Sequence, residues 1–359
     1  MIAPRRRVAA MPEYHPPLGN RDHLRLDFNE NTVACSPAVL EAIRSLSAAD
    51  LTRYPERGPV ESLAAQHLGL APEQVILTNG VDEAIHILCQ AFLDQGDELL
   101  LPVPTYTMYE IYASSTDATV IHVPSFDSGV TPDFRFPFER LLAAITPRTK
   151  LIAIANPNSP TGAIATREQI LAIAAAAPQA IVLIDEAYFH FYGQTVLDQI
   201  GKISNLIVAR TFSKAYGLAG LRLGLLAGPD ALLQWTRRVL SPYSVNLVAL
   251  AALTAALKDQ AFLMHYVAEV KQARAEFLAG LTRLGLQHWP TEANFVLINI
   301  GPHHKDFVSA LRAHNILTRD RSADPGCQGL VRITIGTPTQ MHHALAAIET
   351  YFYARKVSS

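Results

Sequence analysis

Thr211-Phe212-Ser213-Lys214-Ala215-Tyr216-Gly217-Leu218-Ala219-Gly220-Leu221-Arg222 leads from one apolar run, Leu206–Ala209, into a second, Leu223–Ala227. A lysine is ordinarily a solvated surface charge. Lys214 instead follows a buried-strand pattern and sits between Ser213 and a glycine-rich turn. The same texture continues upstream, in Val75–Leu77, Glu98–Leu101, Thr119–Val123, Leu151–Ala155 and Ile181–Asp185. Several of these are continuous Ile, Leu, Val and Ala runs, as expected of strands covered on both faces. Helical patterns lie between them, at Val81–Leu93, Tyr106–Ser114 and Arg167–Ala176. This alternation predicts an α/β fold, a three-layer α/β/α unit around a mainly parallel sheet.

Past Pro242 the pattern changes. Two long helices, Val245–Ala256 and Phe262–Leu284, precede a compact α+β series. That series is strand Asn294–Ile298, helix Lys305–His314, strand Ile316–Arg319, strand Val331–Ile335 and helix Met341–Phe352. The expected organisation is an N-terminal arm (1–35), a large domain (36–245) and a smaller α+β domain (246–359) completed by the arm. Ser36-Pro37 reads as a helix start, with serine at the N-cap and proline at N1. The arm is expected to pack on the small domain or on a partner subunit.

Of 359 residues, 49% are hydrophobic and 17% charged, against about 25% charged in ordinary domains. Thirty basic and 32 acidic residues leave a net charge of −2, which speaks against a nucleic-acid partner. No apolar run approaches the ~18 residues of a membrane span, and no signal-peptide pattern follows Arg5-Arg6-Arg7. Cys35, Cys89 and Cys327 are odd in number and far apart, so a reducing, cytoplasmic setting is expected. Adjacent pairs His303-His304 and His342-His343 lack the i, i+4 spacing of helical metal ligands, and no metal site is expected. Neither G-x-G-x-x-G nor a P-loop motif occurs, which removes support for dinucleotide or nucleoside-triphosphate chemistry.

In open α/β sheets ligands bind beyond the carboxyl ends of the strands. Thr78-Asn79-Gly80-Val81-Asp82 follows the first strand as a turn into a helix, where backbone amides suit a phosphate. Asn156-Pro157-Asn158-Ser159-Pro160-Thr161-Gly162, then Asp185-Glu186-Ala187-Tyr188, then the Lys214 segment, follow others. Four strand ends thus deliver Asn156, Asp185, Tyr188, Ser213, Lys214 and Arg222 toward one place. These residue types suit a phosphorylated pyridine aldehyde. A lysine condenses with the aldehyde, and an aspartate keeps the ring nitrogen protonated so that the ring accepts electrons. Tyr188 and Asn156 can bond the ring hydroxyl oxygen, while Ser213, Arg222 and the Gly80 turn can hold the phosphate.

The Lys214 segment resembles the lysine segment of fold-type I pyridoxal-phosphate aminotransferases, most of all their histidinol-phosphate aminotransferase branch. The Asn156 and Asp185–Tyr188 segments are similar to that branch's motifs, in the same order. So are Leu26-Asp27-Phe28-Asn29-Glu30-Asn31, Arg53-Tyr54-Pro55, Arg319-Asp320-Arg321-Ser322 and Val331-Arg332-Ile333-Thr334-Ile335-Gly336-Thr337. The resemblance runs along essentially the whole chain. The usual proline after the Asn-Glu-Asn segment is Thr32 here, and the arm around Tyr14 is atypically proline-rich.

The resemblance implies a homodimeric aminotransferase dependent on pyridoxal 5'-phosphate, converting L-histidinol phosphate and 2-oxoglutarate to imidazole acetol phosphate and L-glutamate. It implies that Lys214 forms the Schiff base, Asp185 pairs with the ring nitrogen, and Asn156 and Tyr188 meet the ring oxygen. Tyr106 would stack on the ring. Gly80, Val81, Asp82, Ser213 and Arg222 would hold the phosphate, with Tyr54 reaching it from the neighbouring subunit. Arg332 would bind a carboxylate; Arg319 and Tyr14 would meet the far end of the substrate.

Plainer roles stand beside these. Asp185 can cap the next segment, and Tyr106 and Tyr54 can be core or loop anchors. Arg319 can join Asp320 and Arg321 in a surface ion pair. Arg332, inside an apolar strand, needs an internal or a substrate carboxylate. Rival functions are an aromatic or other amino-acid aminotransferase, a phosphothreonine-type decarboxylase, and a non-catalytic binding relative.

Overall fold

All the apolar runs between Val75 and Ala227 become strands of one sheet. The computed structural model describes residues 2–11, 13, 15–16, 18–19, 21–127 and 132–358. After a short N-terminal strand β1 (Leu24–Leu26), the chain forms β2 (Val75–Asn79), β3 (Glu98–Val103), β4 (Thr119–Pro124) and β5 (Thr149–Ala155). β6 (Ile181–Asp185), β7 (Leu206–Thr211) and β8 (Leu223–Ala227) follow. Their spatial order is β2-β8-β7-β6-β5-β3-β4. β8 runs antiparallel to both of its neighbours, and every other pairing is parallel.

The continuous apolar runs have a simple cause: successive side chains enter different cores. In β6, Val182 and Ile184 join one core cluster while Ile181 and Leu183 join the other. Helices Gly80–Phe92 and Met108–Ser114 cover the second face with Ile85, Leu88, Tyr109 and Ala113. Helix Arg167–Ala176 covers the first with Ile170 and Ile173, beside helices Leu247–Lys258 and Gln260–Arg283. This is the expected three-layer arrangement.

A second sheet contains β9 (Phe295–Asn299), β10 (Ile316–Asp320) and β11 (Leu330–Thr334), in the order β1-β10-β11-β9. The N-terminal arm supplies β1, which pairs in parallel with β10, Leu24 opposite Ile316. Helices His304–Ala313 and Pro338–Ser358 accompany this sheet. The long helix Gln260–Arg283 packs so closely on Pro338–Ser358 that a Cβ on Gly280 would lie 2.4 Å from Leu345.

Caps set several boundaries. Ser36 accepts from the Ala38 amide with Pro37 at N1, as expected. Asn246 accepts from the Ala249 amide, so that helix begins at Leu247 rather than Val245. The helix expected from Tyr106 begins at Met108, leaving Tyr106 in the loop ahead of it. Among the described residues no single helix is long and apolar enough to cross a membrane.

Candidate active site

The turn expected to suit a phosphate lies where β2 hands over to its helix. Gly80 opens helix Gly80–Phe92 at φ +76°, a left-handed conformation that disfavours side chains. A Cβ there would lie 2.7 Å from Arg222 Nη2. On the neighbouring strand, a Cβ on Gly224 would lie 2.7 Å from the Val81 nitrogen. The two glycines therefore leave a backbone cradle that any other residue would fill, at the amino end of a thirteen-residue helix. Arg222 Nη2 donates to Asp82 Oδ2 (2.8 Å), and Tyr106 Oη donates to Asp82 Oδ1 (2.7 Å). Ser213 is buried nearby in chain, its amide bonded to Thr211 Oγ1 at 3.0 Å. The amides and the guanidinium together fit a phosphate.

Deeper in, Asp185 ends β6 with only 6% exposure. Its Oδ1 accepts from the Ala187 amide (3.0 Å) and its Oδ2 from the Tyr109 hydroxyl (2.5 Å). Burial pushes the carboxyl up to about 6, against the pull of these two donors. β5 lies alongside, and the Asn156 amide donates to the Asp185 carbonyl at 2.8 Å. The Asn156 side chain exchanges hydrogen bonds with the Ala165 backbone (3.0 and 3.1 Å). It retains one donor hydrogen and one acceptor lone pair for a ligand. Tyr188 accepts from Asn29 Nδ2 at 2.8 Å and packs edge-on against Phe295.

Segment 27–31 straps these parts together. Lys214 Nζ donates to the Phe28 carbonyl at 2.9 Å, and Arg332 Nη2 donates to the Asp27 carbonyl at 2.7 Å. Two consecutive carbonyls thus hold the lysine and the arginine side by side. Asn29 also ties to Thr334 on β11, its amide 3.0 Å from the hydroxyl oxygen, and Asn31 Nδ2 reaches the Ala215 carbonyl at 3.2 Å. Burial lowers the Lys214 pKa; Tyr188 opposes this, while Arg332 and Arg222 reinforce it.

Arg332 is buried on β11 and donates to two neutral oxygens, Ser159 Oγ (2.8 Å) and the Asp27 carbonyl. Its Nε has no hydrogen-bond partner, and among the described residues no carboxylate forms an ion pair with it. Burial, then Arg321 and Arg319, brings its pKa down to about 10. Arg319 sits opposite Arg332 in the β10–β11 register, its guanidinium 5.3 Å from the centre of the Phe28 ring. Of its sequence neighbours, Asp320 bonds His304 Nδ1 at 2.8 Å, and Arg321 pairs with Asp324.

Tyr54 is 76% exposed and stacks on Tyr243, ring centroids 4.2 Å apart, so within one chain it is not gathered with Lys214. Tyr14 lies outside the described residues. A separate cavity of about 220 Å³, lined by Asn156, Ala165, Glu186 and Thr195, includes neither Lys214 nor Asp185. One of its two acids, Glu186, is already bonded twice by Arg210, at 3.0 and 2.8 Å.

Tyr109 and Asn29 are structural participants that residue type alone did not single out. A tyrosine on the buried face of a helix must find a partner for its hydroxyl, which was the available signal for Tyr109. Asn29 adopts φ +55°, a conformation asparagine tolerates better than most.

Residues 21–348 match the model of the family described as aminotransferase class I and II. A histidinol-phosphate aminotransferase from Geobacillus sp. (strain WCH70) is 33% identical, covering 92% of this chain and 90% of its own length. One from Methanocella arvoryzae is 35% identical over 88% of this chain and 86% of its own. Among solved structures, the Sinorhizobium meliloti histidinol-phosphate aminotransferase in complex with pyridoxal-5'-phosphate superposes with a TM-score of 0.85 at 26% identity, covering 95% of each chain. The chain belongs to the class I and II aminotransferases, in their histidinol-phosphate aminotransferase branch.

Proposed function

We propose that the protein moves the amino group of L-histidinol phosphate onto 2-oxoglutarate, with pyridoxal 5'-phosphate as cofactor, in histidine biosynthesis. The observation that carries this is the pairing of Lys214 and Arg332 on the adjacent carbonyls of Phe28 and Asp27. An amine of lowered basicity and a buried guanidinium bonded only to neutral oxygens lie together, as a reacting nitrogen and a carboxylate binder must.

Bound pyridoxal phosphate supplies an aldehyde that condenses with amines and a protonated ring that accepts electrons. The amides opening helix Gly80–Phe92, with Gly80, Val81 and Asp82 at its first turn, hold the phosphate together with Ser213 and Arg222. Asp185 would keep the proton on the ring nitrogen, Asn156 and Tyr188 would bond the ring oxygen, and Tyr106 would cover the ring face. Lys214 is the amine that would hold the aldehyde. The same amine would be the base that moves a proton from the substrate Cα, a task that its lowered pKa favours.

Histidinol phosphate has no carboxylate, so Arg332 serves the 2-oxo acid. Arg319, with Tyr14, meets the donor's phosphate or the acceptor's far carboxylate. Tyr54 serves the phosphate of the other subunit in a homodimer, its exposed stack on Tyr243 being presented outward. The large unit 36–245 carries the cofactor, the unit 246–359 with the N-terminal arm closes the substrate side, and the enzyme works in the cytoplasm.

Initial rates with histidinol phosphate, phenylalanine and phosphothreonine, each with 2-oxoglutarate, test the assignment. The highest kcat/KM is expected for histidinol phosphate. Turnover of phenylalanine alone would overturn the biosynthetic assignment, and carbon dioxide release from phosphothreonine would overturn the reaction class.

A further inference from the structure

We propose that Tyr109 is a positioning residue for Asp185: its hydroxyl fixes one carboxylate oxygen so that the other edge of the group stays charged and aimed at the cofactor's ring nitrogen. This rests on the cofactor assignment above and adds a residue to it.

Tyr109 is 1% exposed on helix Met108–Ser114, in the apolar cluster that includes Leu88, Val103 and Ala113. A phenylalanine would fill such a site without desolvating a hydroxyl. The phenol is retained at a cost unless it has a partner, and the partner is Asp185 Oδ2 at 2.5 Å. Oδ1 is held independently by the Ala187 amide. Donors from two different elements, helix Met108–Ser114 and the turn after β6, therefore fix the rotation of the carboxylate. Two acids oppose its ionisation, Asp82 from the first turn of helix Gly80–Phe92 and Glu186 beside it in the chain. The Tyr109 hydroxyl favours the ionised form. The same ring meets Tyr106 edge-on, centroids 6.0 Å apart at 90°. Tyr109 thus braces both the residue assigned to the ring nitrogen and the residue assigned to the ring face.

Tyr109→Phe removes one oxygen and keeps the packing. In the cofactor-free protein, carbon NMR of labelled aspartates, with Asp185→Asn identifying the signal, is expected to show the Asp185 titration displaced upward in Tyr109→Phe. In the loaded protein, nitrogen NMR of labelled pyridoxal phosphate is expected to show a smaller protonated fraction of the ring nitrogen. A fall of about tenfold in kcat with little change in KM for 2-oxoglutarate should accompany it, ~1.4 kcal/mol of barrier. In an Asp185→Asn background, Tyr109→Phe should add no further loss of cofactor affinity.

An unmoved aspartate titration and an unchanged ring-nitrogen signal, with only a lowered melting temperature, would reduce Tyr109 to a packing residue and overturn the proposal. Failure of the unsubstituted protein to bind pyridoxal phosphate would overturn the cofactor assignment, and it would be seen before any variant is made.

Discussion

The two ends of the site are held in different ways. At the end proposed for the ring nitrogen the polar groups are bonded to fixed structure: Asp185 to Tyr109 and Ala187, Asn156 to Ala165. At the end proposed for the substrate, Lys214 and Arg332 rest on backbone carbonyls of an N-terminal strap, and Arg332 keeps one unbonded nitrogen. A carbonyl dipole is a weaker partner for a cation than a carboxylate is. The first arrangement suits a resident group that stays, and the second suits anions that come and go.

Four substitutions or titrations probe that contrast. The largest loss belongs to Lys214→Ala, where turnover should fall on the order of 10⁴-fold, the range associated with removing a positioned acid–base group. Stopped-assay rates and the visible band of the bound cofactor would both report it; an unaltered spectrum would contradict the lysine assignment.

Arg332→Met separates binding from stability. Loss of charge-assisted bonds to a carboxylate, worth roughly 1.5–3 kcal/mol, should raise KM for 2-oxoglutarate by about 10–100-fold. Because the guanidinium is buried with no carboxylate paired to it, the cofactor-free protein should melt no lower than the parent. A large drop in melting temperature would show that Arg332 is structural.

Asp185 gives a pH signature. Its folded pKa of about 6 exceeds the ordinary 3.8, so the folded cofactor-free chain binds the proton more tightly than the unfolded one. The stability this contributes is complete below about pH 4 and is lost as pH rises through about 6. By linkage it amounts to on the order of 2–3 kcal/mol. Urea titrations between pH 4 and 7 should show the decline, and Asp185→Asn should flatten it. A slope of opposite sign would contradict the buried-acid description.

The mildest effect is expected of Asn29→Ala. It removes the 2.8 Å bond to Tyr188 and places alanine at a left-handed φ, each worth about 1 kcal/mol. A fewfold fall in kcat/KM with a slightly lower melting temperature should follow. A loss as deep as that of Lys214→Ala would mean that the strap does more than hold its neighbours.

The sheet was legible because both of its faces are buried, which turns β5 through β8 into apolar runs, and the polar residues after β5, β6 and β7 and before the antiparallel β8 mark the ligand side. Lys214, Asp185 and Arg222 follow from their places after those runs. The strap was harder to see. Its contacts to Lys214 and Arg332 come from main-chain carbonyls, which have no residue signature, and from a chain segment 186 and 305 positions away. Tyr109 was hidden for a related reason: on its helix it reads as an ordinary apolar position until β6 brings Asp185 beneath it. Beside Arg319, Asp320 and Arg321 bond to His304 and Asp324, partners that adjacency in the sequence does not show.

The central claim is that Lys214 is the amine that holds the cofactor aldehyde. Borohydride reduction of the pyridoxal-phosphate-loaded protein, followed by peptide mass spectrometry, tests it directly. The account predicts a phosphopyridoxyl group on the peptide containing Lys214. A modification found only on another lysine, or none at all after loading, would contradict it.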